Sequence, residues 1–263
     1  MEAAAQGYPY AEVSVLGPEG SALEVQVSVL EPELSIVEPS TATDRTGGSP
    51  VAQPTTRDVK VEIVRQPVAK RILDVALASV ALAILAPFLT VLLVAVAADT
   101  GASPVFVQVR TGRGGKRFRM FKFRTMVADA ESRLADLMHL NEVQWPMFKI
   151  RNDPRITRLG RFLRAASLDE LPQLVNILKG DMSLVGPRPP LPHEVATYTS
   201  EQARRLSVLP GLTGLWQVSG RADCSFEQAV ALDLHYIDHH HWRTDVAIML
   251  RTFGAVIRRR GAY

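Results

Sequence analysis

Charge vanishes from the chain between Val75 and Ala98, where the 24 residues VALASVALAILAPFLTVLLVAVAA carry none. About 20 apolar residues span the hydrocarbon of a bilayer as a helix, and a core helix of a soluble protein is seldom apolar on every face. Lys70 and Arg71 stand just before the run, and Arg110, Arg113, Lys116, Arg117, Arg119, Lys122 and Arg124 follow it. Basic residues mark the cytoplasmic flank of a membrane segment, and here both flanks are basic. Pro87, near the middle, removes one helical hydrogen bond and permits a bend. A helix that enters, turns at Ala86-Pro87 and leaves on the same face meets both constraints. A straight span with a proline kink is the alternative.

After this segment the period changes. Two short alternating runs in PVFVQVRTGRGGKRFRMFKFRTM flank the glycine-rich TGRGGK, which predicts a β-hairpin with the glycines at its turn. Residues 128–140 have helical spacing, with leucines at 134, 137 and 140 that read as packing positions. The stretch LVNILKGDM predicts another helix. The first 66 residues show no long amphipathic period and are proline-rich: seven of the 17 prolines fall at or before Pro67. They read as a weakly structured extension with short strand-like pieces such as EVQVSVL, and they lack the basic start of a secretory signal. The expected organisation is an extension over 1–66, a re-entrant membrane helix over 67–100 and a cytoplasmic domain over 101–263. The expected fold class is mainly α with a small β-hairpin (α+β), with amphipathic helices lying in the membrane interface.

The net charge of +3 conceals an asymmetry. Residues 1–66 hold 10 acids and 4 bases, and the remainder holds 17 acids and 26 bases. A basic functional region suits nucleic acid, anionic lipid or phosphorylated substrates. Nucleic-acid binding leaves the apolar segment unexplained, so it is set aside. The single cysteine, Cys224, excludes an intramolecular disulfide.

Within the basic region, SLDELPQL (167–174) sets Asp169 beside Glu170. Ser167 and Glu170 fit the spacing of a capping box at a helix start, which would account for Glu170 and leave Asp169 less well explained. Basic residues at 149, 151, 155, 158, 161 and 164 precede the pair, and the loop GPRPP holds Arg188 between prolines. Two adjacent acids among cations suit a Mg²⁺ ion bridging to a phosphorylated substrate, and a fixed guanidinium suits bidentate phosphate contact. From these residues alone, capping and chemistry both stay open.

The motifs KFRTM, RAASLDELPQLVNILKGDMSLVGPRP, PGLTGLWQVSGR and LDLHYIDHHHWRTDVAIMLRT, in that order over residues 68–260, resemble the bacterial sugar transferases. These are monotopic polyprenyl-phosphate phosphoglycosyl transferases that start glycoconjugate and exopolysaccharide synthesis. The resemblance implies that Asp169 is a nucleophile that attacks the sugar-bearing phosphorus of a UDP-sugar, releases UMP and forms a covalent phosphosugar intermediate. Undecaprenyl phosphate then takes the hexose 1-phosphate. Glu170, with Asp169 beside it, would hold Mg²⁺, while Lys122, Arg164 and Arg188 surround the phosphates. Arg124 either joins them or meets lipid headgroups, and Gln217 and Arg221 are expected to face the nucleotide or the acceptor.

The details FKIRNDPRIT and QVSGR lean toward galactose or glucose as the sugar. The chain resembles the short members of the family, and the implied location is the cytoplasmic face of the bacterial inner membrane, in contact with membrane lipids. Whether it forms a homo-oligomer stays open. Two departures stand out: Ala165-Ala166 lie where relatives often carry a hydroxyl before the serine, and His239-His240-His241 reads as a surface cluster. The competing reading is a non-catalytic, membrane-anchored basic module that binds anionic lipid or a polysaccharide-assembly partner, with the two acids serving as caps.

Overall fold

In the computed structural model, residues 12–15, 25–28, 61–142, 150, 152–219 and 224–257 are described. The chain divides into two compact units, Met1–Arg57 and Asp58–Tyr263. In the first, β1 (Glu12–Val15) and β2 (Val25–Ser28) pair antiparallel, with Glu12 opposite Ser28. In the second, residues 61–67 form neither helix nor strand, and the Val64 N–H donates to the Ser207 carbonyl at 3.1 Å.

The apolar run becomes α1 (Val68–Thr100), one continuous 33-residue helix with Pro87 inside it. Among the described residues it is the one helix long and apolar enough to cross a membrane. Gly101, in the left-handed conformation, ends it and donates its N–H to the Ala97 carbonyl. Three polar side chains tie its first turns to the rest of the unit. Lys70 pairs with Asp245 at 2.7 Å, Arg71 donates to the carbonyls of Ile177 (2.7 Å) and Leu178 (3.1 Å), and Asp74 accepts from the Ser183 hydroxyl (2.7 Å) and the Leu184 N–H (3.1 Å).

Apolar contacts continue the docking in two places. Ala78 packs with Met120, Leu174, Ile177 and Met182, and Leu92 and Val96 pack with Phe123 and Leu163. Between these anchorages, Ala83, Ile84, Ala86, Pro87 and Phe88 are exposed. Both halves of the helix therefore rest on one body, while an apolar face that includes Ile72, Val80, Ile84, Phe88, Val91 and Val94 stays exposed along its length.

The hairpin forms as its alternation predicts: β3 (Val105–Thr111) pairs antiparallel with β4 (Arg117–Phe123), and Gly114 and Gly115 take positive φ at the turn. The 128–140 run differs from expectation. It holds only a one-turn helix, α2 (Leu134–Leu137), followed by a 3₁₀ turn, and Leu134 and Leu140 are exposed. The Ser132 hydroxyl donates to the Asp129 carbonyl, a local bond that competes with the helical ladder, although Arg133 pairs with Asp129 at helical spacing.

Next come α3 (Arg158–Ala165), capped by the Thr157 hydroxyl, a 3₁₀ turn (Leu168–Glu170) and α4 (Gln173–Lys179). Asn176, fully buried on α4, accepts from the Phe121 N–H at 3.0 Å and donates to the Arg119 carbonyl at 2.7 Å, so one amide joins the helix to β4. Short elements follow: β5 (Ser183–Val185), α5 (Pro192–Val195), α6 (Ser200–Ala203), β6 (Gly211–Thr213), parallel to β5, and α7 (Leu215–Ser219).

Two longer helices close the unit, α8 (Phe226–Asp238) and α9 (Trp242–Ile257). Their buried residues, including Leu234, Tyr236 and Ile248, surround Val185 of β5. Tyr236 donates to Asp245, the carboxylate that also takes Lys70. The described residues are thus mainly helical with small sheets, in line with the expected fold class.

Gly160 lets α3 lie against the strand end: a Cβ there would sit 2.1 Å from the Thr125 carbonyl oxygen. Gly160→Ala is expected to cost about 1–3 kcal/mol, the usual range for overpacking. A circular-dichroism melt should show a lower Tm, and an unchanged one would mean that α3 can shift freely.

Candidate functional site

The register of the hairpin sorts its side chains. Phe106 lies opposite Lys122, Gln108 opposite Met120 and Arg110 opposite Phe118, so these six residues share one face of the ribbon. That face looks onto the turn that carries the acids. Lys122 donates to Glu170 Oε1 at 2.8 Å, with both side chains half-buried.

The turn is not the capping box that the spacing suggests. Ser167 adopts φ 55°, ψ 20°, the one non-glycine residue with positive φ among those described, and its side chain caps nothing. The chain reverses there, so the acids sit on the 3₁₀ turn and Pro172 precedes the first residue of α4. A serine held left-handed costs of order 1–3 kcal/mol, and such strain collects at functional sites. Glu170 is consequently committed to Lys122, and Asp169 is spared from capping.

The two acids differ electrostatically. Burial, reinforced by the adjacent Glu170 charge, pushes Asp169 up to about 6 against the pull of Lys122 and Arg164. Burial also pushes Glu170 upward, but Lys122, through charge and hydrogen bond, together with Arg188 and Arg110, outweighs it and holds that carboxyl below its ordinary range. Arg164, at the end of α3, donates to the Thr125 hydroxyl at 2.8 Å; burial lowers its pKa, and the Asp169 charge resists the change.

Lys122, Glu170, Arg188 and Gln217 line one cleft, as do Arg110 and Gln173, which motif reading did not single out. The signal for Arg110 was available in the alternation that places it on the Lys122 face. Arg188 is exposed, and its guanidinium lies 6.0 Å from the Trp216 ring centroid. Arg124 is not part of the lining; it donates to the Ser103 carbonyl at 2.8 Å and lies over Phe106. Arg221 lies outside the described residues.

Among the described residues no three or more His, Cys, Asp or Glu side chains cluster as a metal site. In the histidine run, His239 and His241 are exposed, and the His239 ring stacks on His235 at 4.5 Å. Of the two acids only Glu170 lines the cleft, so a cation held at the acid turn would take at most Asp169 and Glu170 from the protein. That donor set fits Mg²⁺, which commonly uses one or two carboxylates and fills its shell with phosphate oxygens and water.

A turn with a perturbed aspartate, a salt-bridged glutamate and an arginine-rich wall is suited to phosphorylated ligands. Sequence comparison is specific. The galactosyl transferase CpsE of Streptococcus agalactiae is 46% identical over 196 residues, covering 74% of this chain and 43% of that protein. The UDP-galactose-lipid carrier transferase of Erwinia amylovora is 43% identical over 198 residues, 74% and 41% of the two chains. The undecaprenyl-phosphate galactose phosphotransferase of Salmonella typhimurium gives the same identity, length and shares. The chain thus spans about two fifths of the length of these relatives. The profile of the bacterial sugar transferases matches residues 65–259, from just before the apolar helix through the last described element, and with the hairpin, acid turn and arginine loop all inside that match the chain belongs to the bacterial sugar transferase family.

Proposed function

We propose that the protein transfers hexose 1-phosphate from a UDP-sugar to undecaprenyl phosphate at the cytoplasmic face of the membrane, releasing UMP. The observation that carries this reading is the Asp169 carboxylate, free of any capping duty, beside a cation-lined cleft. The Erwinia and Salmonella relatives, a UDP-galactose-lipid carrier transferase and an undecaprenyl-phosphate galactose phosphotransferase, supply the substrate classes. Galactose or glucose is the proposed sugar.

In the first step an Asp169 oxygen forms a bond to the sugar-bearing phosphorus, the bond from that phosphorus to the bridging oxygen breaks, and UMP leaves with the electron pair. An acyl phosphate joins enzyme and sugar. In the second, an oxygen of undecaprenyl phosphate attacks the same phosphorus and returns the carboxylate to Asp169. Lys122 keeps Glu170 ionised, and Arg188 and Arg164 supply positive charge around the phosphoryl groups. Asp169 and Glu170 would hold Mg²⁺, whose chemistry is to neutralise the diphosphate and the departing UMP.

The packing of α1 supports a re-entrant position. With both halves anchored on one body, the helix has no free half to reach the opposite side, while the bare Ile84 and Phe88 beside Pro87 suit the apolar interior. So large an apolar surface is unusual on a soluble monomer. Exposed Phe162, Leu250 and Phe253 on α3 and α9 would meet the interface. The competing reading, with the acids as caps, is weakened by the Ser167 geometry, since Ser167 and Glu170 do not form the capping box that their spacing suggests.

Asp169→Asn cannot form the acyl phosphate, and UMP release by the detergent-purified chain with undecaprenyl phosphate and Mg²⁺ is expected to fall at least ~10³-fold. Retention of the wild-type rate would remove the nucleophile assignment. Because Asp169 must be ionised to attack and its pKa is raised to about 6, the rate should fall as pH drops through about 6, well above the ordinary range of an aspartate. Lys122→Met removes a charge that lowers the Asp169 pKa, so the acidic limb of a pH–rate profile should move to higher pH, and a limb that stays in place would contradict this coupling.

A further inference from the structure

Three arginines among the described residues are buried: Arg110, Arg155 and Arg205. Two have carboxylates. Arg155 pairs with Asp153 at 2.6 Å and Arg205 with Asp233 at 2.7 Å. Arg110, 5% exposed, has no carboxylate within ion-pair distance among the described residues. Its guanidinium is held by neutral acceptors instead. Nε and Nη2 donate to Gln108 Oε1 at 3.0 and 2.6 Å, and Nη1 donates to the Pro189 carbonyl at 3.0 Å.

A buried charge with no carboxylate in direct contact is costly, and the chain avoids that cost at its other two buried arginines. At Arg110 the cost shows: burial first, then repulsion by Arg188, depresses its pKa to about 9 against the weaker pull of the Glu194 and Glu170 carboxylates, neither of which pairs with it directly. The side chain nonetheless faces the cleft that Lys122, Glu170 and Arg188 line. A guanidinium has five N–H donors, so the three bonds to Gln108 and Pro189 leave donors available. Gln108 fixes the plane of the fork without cancelling its charge. The Thr111 N–H also donates to the Pro190 carbonyl at 3.0 Å, so β3 grips the loop carrying Arg188 through two adjacent prolines.

We propose that Arg110 is a substrate-binding cation, oriented by Gln108, whose missing ion-pair partner is supplied by the diphosphate of the bound ligand. This rests on the proposed function only for the identity of that ligand as a nucleotide diphosphate sugar. Lys122 is already engaged by Glu170, and Arg188 is exposed to solvent. Arg110 is the desolvated member of the set, where a phosphate–guanidinium contact is strongest.

The test exploits the neutral amide. Gln108→Glu keeps the shape and both acceptor contacts but gives Arg110 an internal carboxylate. In the detergent-purified full chain, inorganic pyrophosphate is titrated calorimetrically, and hexose 1-phosphate transfer is followed in parallel. Gln108→Glu is expected to weaken pyrophosphate binding and raise KM for the UDP-sugar at least tenfold, with Tm unchanged or higher. A purely structural Arg110 predicts the same Tm with affinity and KM unchanged, which would overturn the assignment.

Arg110→Gln completes a double-mutant cycle, or Arg110→Lys if that variant does not fold. The two losses should not add, because Gln108→Glu acts through the Arg110 charge. Additive losses would mean that the new carboxylate repels the anion directly, and would also overturn it. So would a wild-type chain that binds no pyrophosphate. A wild type that shows this pyrophosphate pattern without transferring hexose 1-phosphate would leave the cation site standing and remove the proposed reaction.

Discussion

The Lys122–Glu170 ion pair joins the two pieces on which the candidate site depends. One partner stands at the end of a β-hairpin, the other on a 3₁₀ turn 48 residues later, and their contact at 2.8 Å fixes the distance between ribbon and turn. It also divides labour between neighbouring acids. Glu170 keeps its charge because Lys122 is there, and that charge, added to burial, raises the proton affinity of Asp169. Half-buried as it is, the pair would be a modest contributor to stability; its larger effect is on the electrostatics of the turn.

The apolar helix is tied to the rest of the unit by polar groups before any apolar contact is counted. Lys70, Arg71 and Asp74 each find a different partner, on α9, at the end of α4 and at β5. The Lys70–Asp245 pair is nearly solvent-free and also takes the Tyr236 hydroxyl, so the buried charge is bonded on both sides. Breaking one member of such a network strands the others, which makes the orientation of α1 specific as well as stable.

Much of this was legible in the residues. The charge-free run, the alternation around TGRGGK and the left-handed glycines at its turn each follow from a local rule, and each element is present. The family motifs brought Lys122, Glu170, Arg188 and Gln217 to one cleft. Failures came where two local rules competed. The 128–140 run has helical spacing, but the Ser132 hydroxyl bonds the Asp129 carbonyl inside it. SLDE has capping-box spacing, but Ser167 turns left-handed and Glu170 bonds across to another element, a tertiary choice that no window of four residues contains. In the sequence Arg110 stands only as one of the basic residues that flank the apolar run, because its lack of a directly paired carboxylate emerges only when its neighbours are in place.

The Arg71 guanidinium closes the carboxyl end of α4 by taking the Ile177 and Leu178 carbonyls. That helix begins three residues after Glu170 and is seven residues long, about 10 Å at 1.5 Å per residue. With α1 embedded as proposed, Arg71, α4 and the acid turn act as a ruler of fixed length. If Asp169 acts as the proposed nucleophile, its height above the lipid phosphates would follow the depth at which that one helix sits.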